Sequence, residues 1–146
     1  MNDIKQFEAE LKKALKQSME LAEAVVAKVA FDGTQKIIQE TPKDTGRAQA
    51  NWQVQINKVN DYAINIPDLP KKGDPGRYNS EVVNMAIEQC DKAMSQFKLN
   101  DVINILNNVE YILELEYGSS QQAPKGWVRS NAQIIENKLD EALSKI

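Results

Sequence analysis

A chain of 146 residues with a net charge of −3 and 27% charged residues reads as one soluble domain, and its scattered lysines offer no concentrated basic face for nucleic acid. It contains no histidine and one cysteine, which excludes Ser-His-Asp, Cys-His and the usual Cys/His zinc chemistry within one chain, as well as an internal disulfide. No run of about 18 apolar residues implies a membrane span, and no apolar signal core follows Met1, so the expectation is a protein made in the cytoplasm that needs no cofactor or metal.

From Asp3 to about Gln39 the apolar positions follow a helical period. Ile4, Phe7, Leu11, Ala14, Ser18, Leu21 and Val25 alternate steps of three and four, and Leu15, Ala22, Val26 and Val29 widen the stripe. Such a helix would be roughly 50 to 60 Å long, long enough to overhang its own domain and meet another subunit. Gly33 is the position at which it would bend or end its first part.

Pro42 disfavours helix at Thr41. Asp44-Thr45-Gly46 makes a turn, and Thr45 or Asp44 is placed to cap a short helix through Arg47–Ala50. The same triplet occurs in aspartic proteases, but there it follows an apolar strand and is flanked by small or apolar residues. Here Pro42-Lys43 precede it and Arg47 follows, so it reads as a turn and not as half of a carboxylate dyad.

Trp52 to Asn57 alternates apolar and polar residues, and Tyr62 to Ile66 alternates again. Together they predict an antiparallel hairpin with Trp52 in the core. Pro67 to Asn79, with Lys71, Lys72 and Arg77, reads as an exposed loop. Ser80 is placed to cap a second helix running to about Lys98, with Val83, Ile87, Cys90, Met94 and Phe97 inward. On that face Cys90 reads as a buried small hydrophobe, with no adjacent base or cation to make it reactive.

Asp101 to Asn107 reads as a further strand. Tyr111 to Tyr117 fits a strand by alternation and a helix by the spacing of Tyr111/Leu115 and Leu113/Tyr117. On a strand Glu114 and Glu116 would share one face, as a solvated pair or an ion pair between subunits. A last helix spans about Gly126 to Ser144. Trp127, beside Lys125 and Arg129 at its start, fits an interface anchor as well as it fits the core. The fold class expected is therefore α+β: long N-terminal and C-terminal helices on a small, mainly antiparallel sheet, with an inserted helix, in a single domain over 1–146.

Two segments carry a resemblance: Pro42-Lys43-Asp44-Thr45-Gly46-Arg47 after the first helix, and Tyr111-x4-Glu116-Tyr117-Gly118-Ser119 before Ala123-Pro124-Lys125-Gly126-Trp127-Val128. In this order the chain resembles the tail-completion, or neck, proteins of long-tailed bacteriophages, the small head–tail joining proteins related to minor tail protein Z. It departs from their pattern in having Ile112 where a small residue is usual, and in the inserted stretch from Pro67 to Lys98.

The resemblance implies a non-enzymatic structural protein of the virion. Such a protein forms a homo-oligomeric ring, most simply of six subunits, at the head-proximal end of the tail, and contacts tail-tube and head-connector or head-closure proteins. It also implies that the segment Tyr111–Tyr117 is partly helical. The residues implicated in assembly would be Lys71, Lys72, Arg77, Lys125, Trp127 and Arg129. A head-closure or other minor tail protein is the nearest alternative, and a cytoplasmic helical binding or regulatory module is the alternative of another class.

Overall fold

The computed structural model describes residues 2–43, 45–66, 69, 80–119 and 121–146. Asp44 lies outside them, and so does most of the expected 67–79 loop, including Lys71, Lys72 and Arg77. The side chain of Ser80, the expected cap, is not described either.

In chain order the elements are α1 (Asn2–Glu40), α2 (Arg47–Ala50), β1 (Gln53–Ile56), α3 (Ser80–Met94), β2 (Ile103–Leu106), α4 (Ile112–Glu114), a wide helical turn (Leu115–Ser119) and α5 (Val128–Leu143). The architecture is α+β: α3 packs on a two-stranded antiparallel sheet, α1 packs on α3, and α5 packs on α1.

Helix α1 runs for 39 residues without interruption, about 58 Å at 1.5 Å per residue. Gly33 does not end it. A Cβ at Gly33 would collide with Cγ1 and Cδ1 of Ile135 on α5, so the glycine serves the close approach of the two helices. Only the C-terminal half of α1 enters the core, through Ala30, Ile37 and Ile38. Residues 3–21 are exposed throughout.

The end of α1 is finished by side chains from elsewhere, because its last carbonyls have no partner within the helix. Thr41 Oγ1 donates to Ile37 O at 2.7 Å and accepts from Trp52 Nε1 at 2.9 Å. Trp127 Nε1 donates to the same Ile37 carbonyl at 3.1 Å, and Gln49 Nε2 donates to Ile38 O at 3.0 Å. Both tryptophans are thus buried against the end of one helix with their indole N–H groups satisfied.

The expected Trp52–Ile66 hairpin is not formed. β1 pairs instead with β2, antiparallel, with Gln53 opposite Leu106 and Ile56 opposite Ile103. Asparagine side chains decide this. The Asn51 amide accepts from Ile64 N at 2.6 Å and donates to Ile64 O at 3.3 Å, as a neighbouring peptide would. Asn108 Nδ2 donates to Asn60 O and Tyr62 O, and Asn104 Nδ2 to Lys58 O.

The alternating segment is therefore held beside the sheet by side chains and adds no strand. Asn57, at φ +62°, closes the end of the true ladder: its N–H donates to Val102 O at 2.9 Å, and its Oδ1 accepts from Val102 N at 2.7 Å.

Helix α3, which lies between the strands in sequence, is integral to the core through Val83, Ala86, Cys90 and Met94. Cys90 is fully buried, and burial pushes its thiol up to about 12. The helix ends at Met94, short of Lys98, where a turn donates Phe97 N to Met94 O.

Candidate functional site: the junction of the two turn segments

The segment after α1 turns sharply because Gly46 sits at φ +88°, a left-handed conformation open to glycine. Gly46, not the expected Thr45 or Asp44, holds the N-cap position of α2 and gives no side-chain cap, while Thr45 Oγ1, one residue earlier, accepts from Arg47 N at 3.2 Å. This turn aims the Arg47 guanidinium at the start of the second segment. Its two terminal nitrogens donate to the two oxygens of Glu110 at 2.9 and 3.0 Å, and its charge lies 5.6 Å from the centre of the Tyr111 ring. Arg47 beside Glu110 holds that carboxyl below the usual carboxylate range, and Glu110 raises Arg47 in turn.

A second bridge runs alongside. Gln122 Oε1 accepts from Lys43 N at 2.8 Å, and Gln122 Nε2 donates to Lys43 O at 2.7 Å. Segments more than sixty residues apart in the chain are thereby joined at two points.

The stretch Tyr111–Tyr117 is helical rather than extended: α4 continues into the turn Leu115–Ser119, whose helical backbone breaks at Tyr117 and at Gly118, φ +97°. Helical geometry separates Glu114, which is exposed, from Glu116, which is 6% exposed. The two form no carboxylate pair.

Glu116 instead caps α5 from outside the helix. Its Oε1 accepts from Trp127 N at 2.7 Å and Val128 N at 2.8 Å, and its Oε2 accepts from Arg129 N and Arg129 Nε, both at 2.9 Å. Three otherwise orphaned N–H groups of a helix start are satisfied by one carboxylate, at the end where a negative charge is favoured. Burial pushes this carboxyl up, but the backbone donors and the Arg129 guanidinium outweigh it and hold it below the usual range. Gly126, at φ +77°, makes room: a Cβ there would lie 2.5 Å from Glu116 Oε1.

Of the expected assembly residues, Lys125, Trp127 and Arg129 are among the described ones. Trp127 is buried at 3% exposure, with its indole N–H bound to Ile37 O, and offers no surface anchor. Arg129 is exposed but engaged, held by Glu116 and lying 4.6 Å from the centre of the Tyr117 ring. Lys125 is exposed. Sequence reasoning missed Glu110 as the partner of Arg47, and it missed the asparagine clamps. The clustering of Asn104, Asn107 and Asn108 after Asn51, Asn57 and Asn60 was the available signal.

Among the described residues there is no group of three or more Cys, Asp or Glu side chains arranged to hold a metal ion, and no helix long and apolar enough to cross a membrane. Comparisons with protein-family models, with curated proteins and with solved structures gave no match to this chain.

Proposed function

We propose that the protein is a structural component of the neck of a long-tailed bacteriophage, of the tail-completion type. In this reading it joins the tail tube to the head connector as an oligomeric ring, and it catalyses no reaction. The observation that carries the reading is the physical union of the two segments on which the resemblance rests. Arg47 grips Glu110 and packs on Tyr111, while Lys43 and Gln122 hold each other. Two short sequence patterns that are weak singly thus belong to one structural unit.

The surfaces are suited to assembly. Half of α1 stands clear of the body, and Leu113 and Tyr117, each 68% exposed, flank the junction with Lys125 nearby in the chain. Head-to-tail contacts between such unlike surfaces close into a ring when the rotation per subunit divides a full turn.

The test is immunogold electron microscopy on purified particles of the phage or prophage that encodes the chain, with an antibody against it. A single focus where head meets tail is expected. Labelling at the distal tail would move the protein to another minor tail position. No label on particles whose epitope is proven accessible would reject a virion role.

A further inference from the structure

Side-chain amides stand in for a missing backbone neighbour at several points of this chain. Asn51 does so for Ile64 and Gln122 for Lys43. The outer edge of β1 is met in the same way by Gln89 of α3, whose Nε2 donates to Val54 O at 3.1 Å and whose Oε1 accepts from Val54 N at 3.3 Å. The outer edge of β2 has no such cover. Asn57 N donates to Val102 O, so the antiparallel register turns the N–H and C=O of Asn104 and Leu106 toward β1 and those of Ile103 and Ile105 away from it. Among the described residues no hydrogen bond reaches those outward groups of Ile103 and Ile105, and no described helix or strand other than β1 runs alongside β2.

Nothing blunts this edge. From Val102 to Val109 the chain has no charge and no proline, and the ladder has no bulge. The chemistry of an occupant is set by the backbone, which accepts only another extended strand. The side chains say which strand. About Asn104 the sequence mirrors itself in character: Ile103 answers Ile105, Val102 answers Leu106, and Asp101 answers Asn107. Ile103 and Ile105 pack on the core, while Val102, 58% exposed, and Leu106 alternate onto the other face. A strand with this pattern is matched by its own reverse. Run antiparallel about Asn104, two copies set apolar against apolar at each pair from 102 to 106 and asparagine against asparagine at the axis. The two Asp101 carboxylates then stand about 20 Å apart along the strands.

We infer that the free edge of β2 is paired by β2 of a second copy of this chain, antiparallel and centred on Asn104, so that the two sheets form one of four strands. Ile103 of each copy exchanges both backbone hydrogen bonds with Ile105 of the other, which uses every outward group of the edge. Asn104 meets its own image in a non-hydrogen-bonded pair. The pairing does not rest on the neck reading: a two-fold pair closes on itself, whereas a ring is built from head-to-tail contacts.

The test combines solution mass with cysteine cross-linking on the full chain. In sedimentation equilibrium the mass should rise with concentration toward twice the 16.4 kDa of the chain. Val102→Lys changes an exposed side chain, keeps the backbone contacts between Asn57 and Val102, and sets a charge against Leu106 of the other copy. It should stay monomeric at the same concentrations. Cys90 is buried, so introduced cysteines report alone, and unchanged circular dichroism with Cys90 still shielded from thiol reagent shows that each variant is folded. Asn104→Cys should form a disulfide-linked dimer under a mild oxidant, because the paired Cα atoms lie about 4.5 Å apart, within disulfide reach. Val102→Cys should not, its two copies being offset by about 13 Å along the strands. A wild-type chain that stays monomeric up to high micromolar concentration overturns the inference and leaves the edge to a strand of a different protein. So does a Val102→Cys chain that links as fast as Asn104→Cys does, and so does an oligomer that Val102→Lys leaves intact.

Discussion

At the scale of single residues, Glu116 gathers four hydrogen bonds on one carboxylate. It is buried, ionised and bound by three backbone N–H groups and one guanidinium. Hydrogen bonds to a buried charge are each worth about 1.5–3 kcal/mol, and removing the acceptor leaves its donors unsatisfied. Glu116→Ala should therefore lower unfolding stability by about 3 kcal/mol or more, read from the urea midpoint. Because the folded carboxyl sits below its ordinary value of 4.5, the unfolded chain binds more protons as pH falls past that value. The stabilisation is present above it and is lost through the acid range below. Glu116→Gln should flatten that acid limb of the stability curve. Glu110 is also held low, but its side chain is 72% exposed and solvent screens it. Glu110→Gln should shift the urea midpoint far less than Glu116→Gln does, with the difference from wild type vanishing at high salt.

At the scale of elements, two contacts set the arrangement of the helices and the sheet. Where α1 passes α5, Gly33 lies against Ile135. Alanine would favour the helix by about 1 kcal/mol, but here its methyl meets Cγ1 and Cδ1 of Ile135, and overpacking of this kind costs about 1–3 kcal/mol. Gly33→Ala should be destabilising on balance, and Ile135→Ala should be destabilising too. The double variant should be more stable than the sum of the two effects, because the truncated side chain vacates the space the methyl needs; a double-mutant cycle on chemical denaturation measures this. At the sheet, Asn51 is fully buried and holds both backbone groups of Ile64. Asn51→Ala should cost about 2 kcal/mol, and hydrogen exchange at the Ile64 amide should accelerate while β1–β2 amides stay protected.

At the scale of the whole molecule, the long helix divides into a buried half and a standing half. The amides of residues 3–19 should exchange quickly and those of residues 30–40 slowly, because only the latter are held by tertiary packing; hydrogen exchange read by mass spectrometry checks this. The three long helices, the strand beginning near Trp52, the buried Cys90 and the turn at Gly46 were legible in the sequence, because periodicity, proline and glycine act locally. Tyr62–Ile66 shows where local reasoning stopped: it alternates like a strand, yet the side chains of Asn51 and Asn108 hold its backbone and β2 takes its place on β1. Gly33 shows the same limit, since only the approach of α5 distinguishes a close contact from a helix end. By itself the sequence determined the three long helices and which face of each is apolar, through side-chain spacing along the chain, but left Tyr111–Tyr117 open between strand and helix. Tertiary structure alone decided which strand pairs with which, that Trp127 is buried and that Glu116 caps α5, because those outcomes depend on groups brought together from distant parts of the chain.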